Sequence, residues 1–248
     1  MKALVLAGGT GSRLGSLTSQ TNKCLLDCGG GPVIDLVVSS VAGIRAVTEI
    51  VMVVGYRSAD VIAHFRAHPP AKPVRFVHQP AQRGLVHAIE CARPAVDEDD
   101  VLLLLGDEVL VGARLQEFID DFRANGFHAA VGSVPTSDLA RVSKTYTFSY
   151  EGRRVRKLVE KPAAALSPRM GTGAVLFSAG ALAYTEVTPP HPLRGEKDLV
   201  GVLQMMVNDG KQVGWFDVCE EFANINTSSD LLEARALGTP DLRLADVG

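Results

Sequence analysis

Short apolar runs alternate with longer amphipathic ones along the first half of the chain. "ALVLA" at 3–7, "EIVMVVG" at 49–55, "VRFVH" at 74–78 and "VLLLLG" at 101–106 are compact, β-branched or leucine-rich segments, and each predicts a strand. Between and after them "PVIDLVVSSVAGIRA", "SADVIAHFRA", "GLVHAIECARPAV" and "ARLQEFIDDFRA" repeat apolar residues at helical spacing. Strand–helix alternation of this kind is the pattern of βαβ units. "IVMVV" and "VLLLL" lack polar alternation, so helices should cover both faces and these strands should lie centrally. The prediction is an α/β fold with a Rossmann-like, mostly parallel central sheet flanked by helices.

After about residue 135 the rhythm loosens. "TYTFSYEGRRVRKLVEKP" predicts two strands around a Glu-Gly turn, followed by the segment "GTGAVLFSAGAL", a helix in "KDLVGVLQMMVNDG" and a strand in "QVGWFDV". This reads as an α+β elaboration on the same sheet. With no linker or repeat between them, residues 1–248 form one domain with halves of about 1–135 and 136–248. The tail "GTPDLRLADVG" has little core-forming pattern and is expected to be loosely held.

Composition narrows the function. The 248 residues are 46% hydrophobic, enough for a substantial core. Twenty-five basic against 28 acidic residues give a formal net charge of −3. No global field would gather nucleic acid or an anionic membrane. No apolar run approaches a bilayer span, and the start breaks at glycines too early for a signal peptide, so the reading is cytoplasmic. Cys24, Cys28, Cys91 and Cys219 lack metal-ligand spacing and are expected as reduced thiols. His64 and His68 are four apart, but stand before Pro69 and Pro70 with no third ligand nearby, and read as a helix end.

The chemistry begins at "LAGGTGSRLGSLTSQTNKCLL", residues 6–26. Gly8, Gly9 and Gly11 follow the first strand directly, so the backbone can turn sharply and present N–H groups to an anion. In open α/β sheets ligands bind at such a carboxyl end. Leu14 stands where a dinucleotide GxGxxG would need its last glycine, and the Walker pattern finds no lysine in place. What remains is a glycine turn with two fixed cations, Arg13 and Lys23, suited to charge building on phosphate oxygens.

The segment "LAGGTGSRLGSLTSQTNKCLLDCGGGPVID" resembles the signature of the sugar-1-phosphate nucleotidyltransferases, the nucleoside-diphosphate-sugar pyrophosphorylases. Gly8, Gly9, Gly11, Arg13, Leu14, Leu17, Thr18, Lys23 and Pro32 carry the match. Ser12, Ser16 and Asn22 depart from it, and the last two are expected to loosen the loop while leaving its charges. "QPAQRGLVHAIECARPAV" with "LLLLGDEVLV" is similar to base-recognition and metal segments of glucose-1-phosphate thymidylyl- and uridylyltransferases.

That resemblance implies the nucleotide-diphospho-sugar transferase fold and a set of roles. Leu6, Ala7, Gly8, Gly9 and Gly11 would hold the nucleotide, and Gln79 and Gly84 would read its base, since an amide both donates and accepts. Asp107, ending "VLLLLG", would ligate Mg²⁺, which takes one or two carboxylates plus phosphate oxygens and water. Glu108 would point elsewhere or bond the loop. Glu160 and Lys161 of "VEKP" would meet the sugar hydroxyls and the attacking phosphate, with Gly173 and Glu196 also on the sugar side; Glu196 reads equally as an acid favoured at a helix N-terminus. In "ANINTSSDLLEA" Asn224 and Asn226 stand where relatives place a second metal carboxylate; Asp217 is a spare candidate, read as a strand acid facing solvent.

The implied reaction transfers a nucleotidyl group from a nucleoside triphosphate, UTP or dTTP favoured, to a sugar 1-phosphate. Arg13, Lys23 and Lys161 would be the catalytic cations and Mg²⁺ the cofactor. The reading is of a stand-alone transferase, with room for a homo-oligomer. A cytidylyl- or purine nucleotidyltransferase, a non-catalytic nucleotide-sugar binder and a nicotinamide-dependent oxidoreductase are the alternatives. The last fits the βαβ start but not Leu14 or the "EKP" segment.

Overall fold

The computed structural model describes residues 1–136, 138–192 and 195–238. The expectation of a loosely held tail at 238–248 falls, apart from the backbone of Gly238, outside the described residues.

The strands are β1 (Lys2–Ala7), β2 (Glu49–Val54), β3 (Val74–His78), β4 (Val101–Leu105), β5 (Glu108–Val111), β6 (Ala129–Pro135), β7 (Tyr146–Glu151), β8 (Arg154–Glu160), β9 (Arg169–Phe177), β10 (Val213–Asp217) and β11 (Glu221–Asn224). The helices are α1 (Val33–Ala42), α2 (Ser58–Ala67), α3 (Gly84–Val96), α4 (Leu115–Ala124), α5 (Leu139–Val142), α6 (Tyr184–Val187), α7 (Leu199–Asn208) and α8 (Ser228–Gly238). Nine strands form one sheet in the order β3-β2-β1-β4-β9-β6-β10-β8-β7, and β11 pairs with β5 in a small second sheet.

The parallel part is β3-β2-β1-β4, with β10 also parallel to β6. Strand β9 runs antiparallel between β4 and β6, so the sheet becomes mixed where the sequence rhythm loosens. Strand β9 is buried from Met170 to Phe177, and burial on both faces carries no sign of a strand's direction.

Side-chain alternation along β1 explains its unbroken apolar run. Ala3, Val5 and Ala7 pack in the core that receives α1, α2 and α4. Leu4 and Leu6 enter the other core, under α3 and α7. Helix α4 buries Leu115, Phe118, Ile119 and Phe122, a stripe of i, i+3, i+4 and i+7. Gln116, Glu117, Asp120 and Arg123 lie on the exposed face of α4.

Two close approaches position the sugar-side half. At Gly171 of β9 an added Cβ would come within 2.0 Å of the Tyr146 ring, whose hydroxyl donates to Thr172 O at 3.1 Å. Gly171→Ala is therefore an overpacking change, expected to cost about 1–3 kcal/mol. A lowered urea midpoint with an unchanged m-value checks this. At Gly173 an added Cβ would come within 2.6 Å of Glu108 Oε2, so β9 and the start of β5 approach closely here.

Among the described residues no helix is long and apolar enough to cross a membrane. The four cysteines are free thiols. His64 makes a 2.7 Å contact with Asp35 Oδ1, which gives it a structural partner between α2 and α1.

Candidate active site

Strands β1 and β4 are parallel neighbours with Leu6 opposite Leu105, so the glycine loop and Asp107 leave the sheet at the same edge. Gly106 N donates to Leu6 O at 2.9 Å and ties the two exits together. Gly11 has φ +65, and the Thr18 hydroxyl donates to Gly11 O at 3.0 Å and to Gly15 O at 3.3 Å. Glycine tolerates that left-handed turn without strain. Leu14, which breaks the dinucleotide pattern, is buried at 3% exposure and plugs the loop onto the core.

Asn22 corrects the expectation of a loosened loop. It is fully buried, its Oδ1 accepts from Cys24 N at 2.9 Å, and its Nδ2 donates to Ala7 O at 3.1 Å and Tyr56 O at 2.7 Å. One amide therefore caps the 3₁₀ turn Lys23–Leu25 and pins the glycine loop to the loop after β2.

Lys23 Nζ and the Asp107 carboxylate form a largely buried ion pair. Burial alone would lower the lysine, but the Asp107 charge, with smaller help from Cys24, holds it above its ordinary value. Lys23 is thus a fixed cation beside Gly9, where an added Cβ would lie 3.4 Å from its Cε.

A hydrogen-bonded chain runs from the loop to β9. Arg13 Nη2 donates to Asn226 Oδ1 at 2.8 Å, Asn226 Nδ2 to Asn224 Oδ1 at 2.6 Å, and Asn224 Nδ2 to Glu108 Oε1 at 3.0 Å. Glu108 also accepts from Gly173 N at 2.9 Å. Burial, reinforced by the neighbouring Asp107 charge, pushes Glu108 up to about 8. Glu108, expected to point elsewhere or bond the loop, instead lines the cleft and braces β5 against β9 and β11. Strand pairing puts Asn224 opposite Glu108, and Ile225 N donates to Asp107 O at 2.9 Å, so both asparagines flank Asp107.

Asp217 does not face solvent, contrary to expectation. It accepts from Arg169 Nη2 and Nε at 3.0 Å and from Ser133 Oγ at 2.7 Å, and does not line the cleft. A strand acid on β10 finds a guanidinium on the same sheet, a pairing invisible in local sequence.

A cleft of about 640 Å³ gathers Arg13, Glu160, Lys161, Gly173, Glu196, Asn224 and Asn226 in its walls. Lys161 follows β8 with φ +46, and its N donates to Thr145 O at 2.7 Å. Holding a non-glycine residue there costs energy, and such strain concentrates at working sites. Gln79, Gly84, the loop glycines Gly8, Gly9 and Gly11 and the Lys23–Asp107 pair are not cleft walls. They lie alongside, joined through the Arg13–Asn226 bond and through Glu196, whose Oε2 would lie 2.9 Å from a Cβ added at Gly84. Gly84 has φ +86 and opens α3, where backbone N–H groups lack helical partners.

Arg141 and Lys144 also line the cleft, and the sequence reading passed over both. Arg141 Nη2 donates to Phe222 O at 2.5 Å, and Lys144 pairs with Asp230 at 3.2 Å. Asp230 in turn accepts from Asn226 N and Thr227 N at 3.1 and 2.8 Å, fixing the turn that carries Asn226. Their only sequence signal was positive charge beside a predicted strand.

Among the described residues no group of three or more His, Cys, Asp or Glu could hold a metal. The donors present are one carboxylate, Asp107, and two flanking amide oxygens. All three are engaged here, Asp107 by Lys23, Asn224 Oδ1 by Asn226 and Asn226 Oδ1 by Arg13; once those bonds are released they would suit Mg²⁺ arriving with phosphates, because this ion keeps water and phosphate oxygens around few protein ligands.

The nucleotidyl transferase family profile matches residues 2–237. The UTP–glucose-1-phosphate uridylyltransferase AglF of Haloferax volcanii is 27% identical over 215 residues, covering 86% of each chain. A glucose-1-phosphate thymidylyltransferase of Streptomyces griseus is 28% identical over 243 residues, 96% of this chain and 66% of that one. Among solved structures, a UDP-glucose pyrophosphorylase complexed with UDP-glucose has the same fold at a TM-score of 0.83 and 18% identity, over 95% of this chain and 97% of that one. With a glycine loop, paired charges and cleft in the matched span, this chain belongs to the nucleotidyl transferase family.

Proposed function

We propose that the protein transfers a nucleotidyl group to a sugar 1-phosphate, releasing pyrophosphate. The observation that carries this is the single cleft in which Arg13, from the glycine loop, meets Lys161, Glu160, Gly173 and Glu196 from the sugar-side half. Two anions must meet for the reaction, and the two halves each contribute a cation. The uridylyl- and thymidylyltransferase relatives favour UTP or dTTP as donor and glucose 1-phosphate as acceptor. A cytoplasmic location belongs to the same reading.

In this mechanism an oxygen of the sugar 1-phosphate attacks the α-phosphorus in line; a P–O bond forms there and the bond to the β-phosphate breaks. No general base is required, because the attacking phosphate is already ionised at neutral pH. Gln79 and Gly84 hold the base, and the amides of Gly8, Gly9 and Gly11 with Arg13 hold the departing pyrophosphate. Lys23 neutralises charge near the α-phosphate, and Lys161 draws the second anion in against repulsion. Glu160, Gly173 and Glu196 orient the sugar. Magnesium, held by Asp107 with Asn224 and Asn226 as neutral oxygen donors, would supply further charge neutralisation on the reacting phosphates.

The test is pyrophosphate release with Mg²⁺, crossing UTP, dTTP, CTP, ATP and GTP with hexose, aminohexose and heptose 1-phosphates. Release that needs both substrates is the expected result, strongest with UTP or dTTP. The amide oxygens of Asn224 and Asn226 are already engaged by Asn226 and Arg13, which favours a second reading as a nucleotide-sugar binder. Silence across the panel, with UDP-sugar binding by calorimetry, would establish that one instead.

A further inference from the structure

We propose that His87 is a positioning residue that locks the Gln79 amide and thereby sets which nucleobase edge is read; this rests on the reading of Gln79 as a base ligand. Gly84 O can only accept, so the Gln79 atom 3.0 Å from it is Nε2. The second hydrogen of Nε2 is directed at His87 Nδ1, 3.2 Å away, which must then carry a lone pair. His87 is neutral in that state, with its proton on Nε2.

A competing contact tests the assignment. Arg83 Nη2 lies 2.9 Å from His87 Nε2, and a guanidinium has only donors, so that contact asks for the opposite tautomer. The two demands are incompatible. Gln79 is 7% exposed, whereas Arg83 is exposed and can be solvated. Leaving a buried N–H unpaired costs more than releasing an exposed one, so Gln79 sets the tautomer. The His87 Nε2–H then faces Cys91 Sγ, a weak acceptor at 3.8 Å.

The consequence falls on Oε1. Among the described residues no donor reaches it, and a Cβ added at Gly8 would lie 2.8 Å from it, so it is presented toward the glycine loop. An acceptor held there requires an N–H from the base, as the N3–H of uracil or thymine supplies. A reversed amide would present Nε2 instead and suit the N3 lone pair of cytosine. Gly84 O and His87 Nδ1 are the two restraints against that reversal.

The experiment measures kcat and KM for UTP, dTTP and CTP in wild type, His87→Gln and His87→Asn, with binding of UTP and CTP by calorimetry and melting temperatures alongside. Glutamine places its polar atoms near the ring's Nε2, leaving Nδ1 unreplaced; asparagine Oδ1 replaces Nδ1. We expect His87→Gln to raise the KM and Kd for UTP and dTTP about fivefold, with kcat nearly unchanged, and to shrink the preference over CTP by the same factor. His87→Asn should restore both to within about twofold. Equal losses in the two variants, a loss in kcat alone, no change in either, or a wild type that prefers CTP would each overturn the proposal. A wild type that turns over no triphosphate defeats the transferase reading instead, and the calorimetric arms then still decide the amide lock.

Discussion

Replacing Lys161 with alanine is expected to lower kcat/KM for the sugar 1-phosphate about 10²–10³-fold, the scale of losing one oriented charge at a reacting phosphate. The KM for the nucleoside triphosphate should move by less than about threefold, because its own cations, Arg13 and Lys23, are untouched. Steady-state kinetics varying each substrate separately would check the split. A loss shared equally by both substrates would place Lys161 on the nucleotide instead.

The backbone offers a control for folding. Lys161 and Arg57 are the only non-glycine residues with positive φ among those described. Lys161→Gly removes the cation while relieving that conformation, so its stability should stay within about 1 kcal/mol of the parent. Activity should nevertheless fall as far as in Lys161→Ala. A glycine variant that is stable and inactive separates the chemistry from the fold.

The second large effect is on stability. Asn22→Ala would strip Cys24 N, Ala7 O and Tyr56 O of their partner at a fully buried position. At roughly 1–3 kcal/mol for each buried group left unpaired, and with water able to reach part of the Tyr56 side, a loss of about 3–5 kcal/mol is expected. That is a large fraction of the roughly 5–15 kcal/mol that holds a domain together. Urea denaturation of the variant should show it as a fall in midpoint. A loss below about 1 kcal/mol would mean the loop is held by the Thr18 and Leu14 contacts alone.

Much of the frame was legible in the chain. The β1–α1–β2–α2–β3–α3–β4 alternation is written in local periodicity, and local periodicity is what decides whether a segment can bury one face or two. The glycine loop, Arg13 and Lys23 were legible for the same reason: a sharp turn needs glycine, and a phosphate needs cations. The reversed direction of β9 was not legible, since strand direction is set by which neighbours it meets.

At the candidate site the division is sharper. The sequence by itself determined which residue types are available: the cations Arg13, Lys23 and Lys161, the carboxylate Asp107, and amides at Asn224 and Asn226. Only the tertiary structure decided their partners. It paired Lys23 with Asp107, turned Glu108 into a brace for Gly173, spent Asp217 on Arg169, and made Asn22 a buried clasp where the loop was expected to loosen. Hydrogen bonds and ion pairs act over about 3 Å, and residues as far apart in the chain as Arg13 and Asn226 come that close only through the packing of the whole sheet.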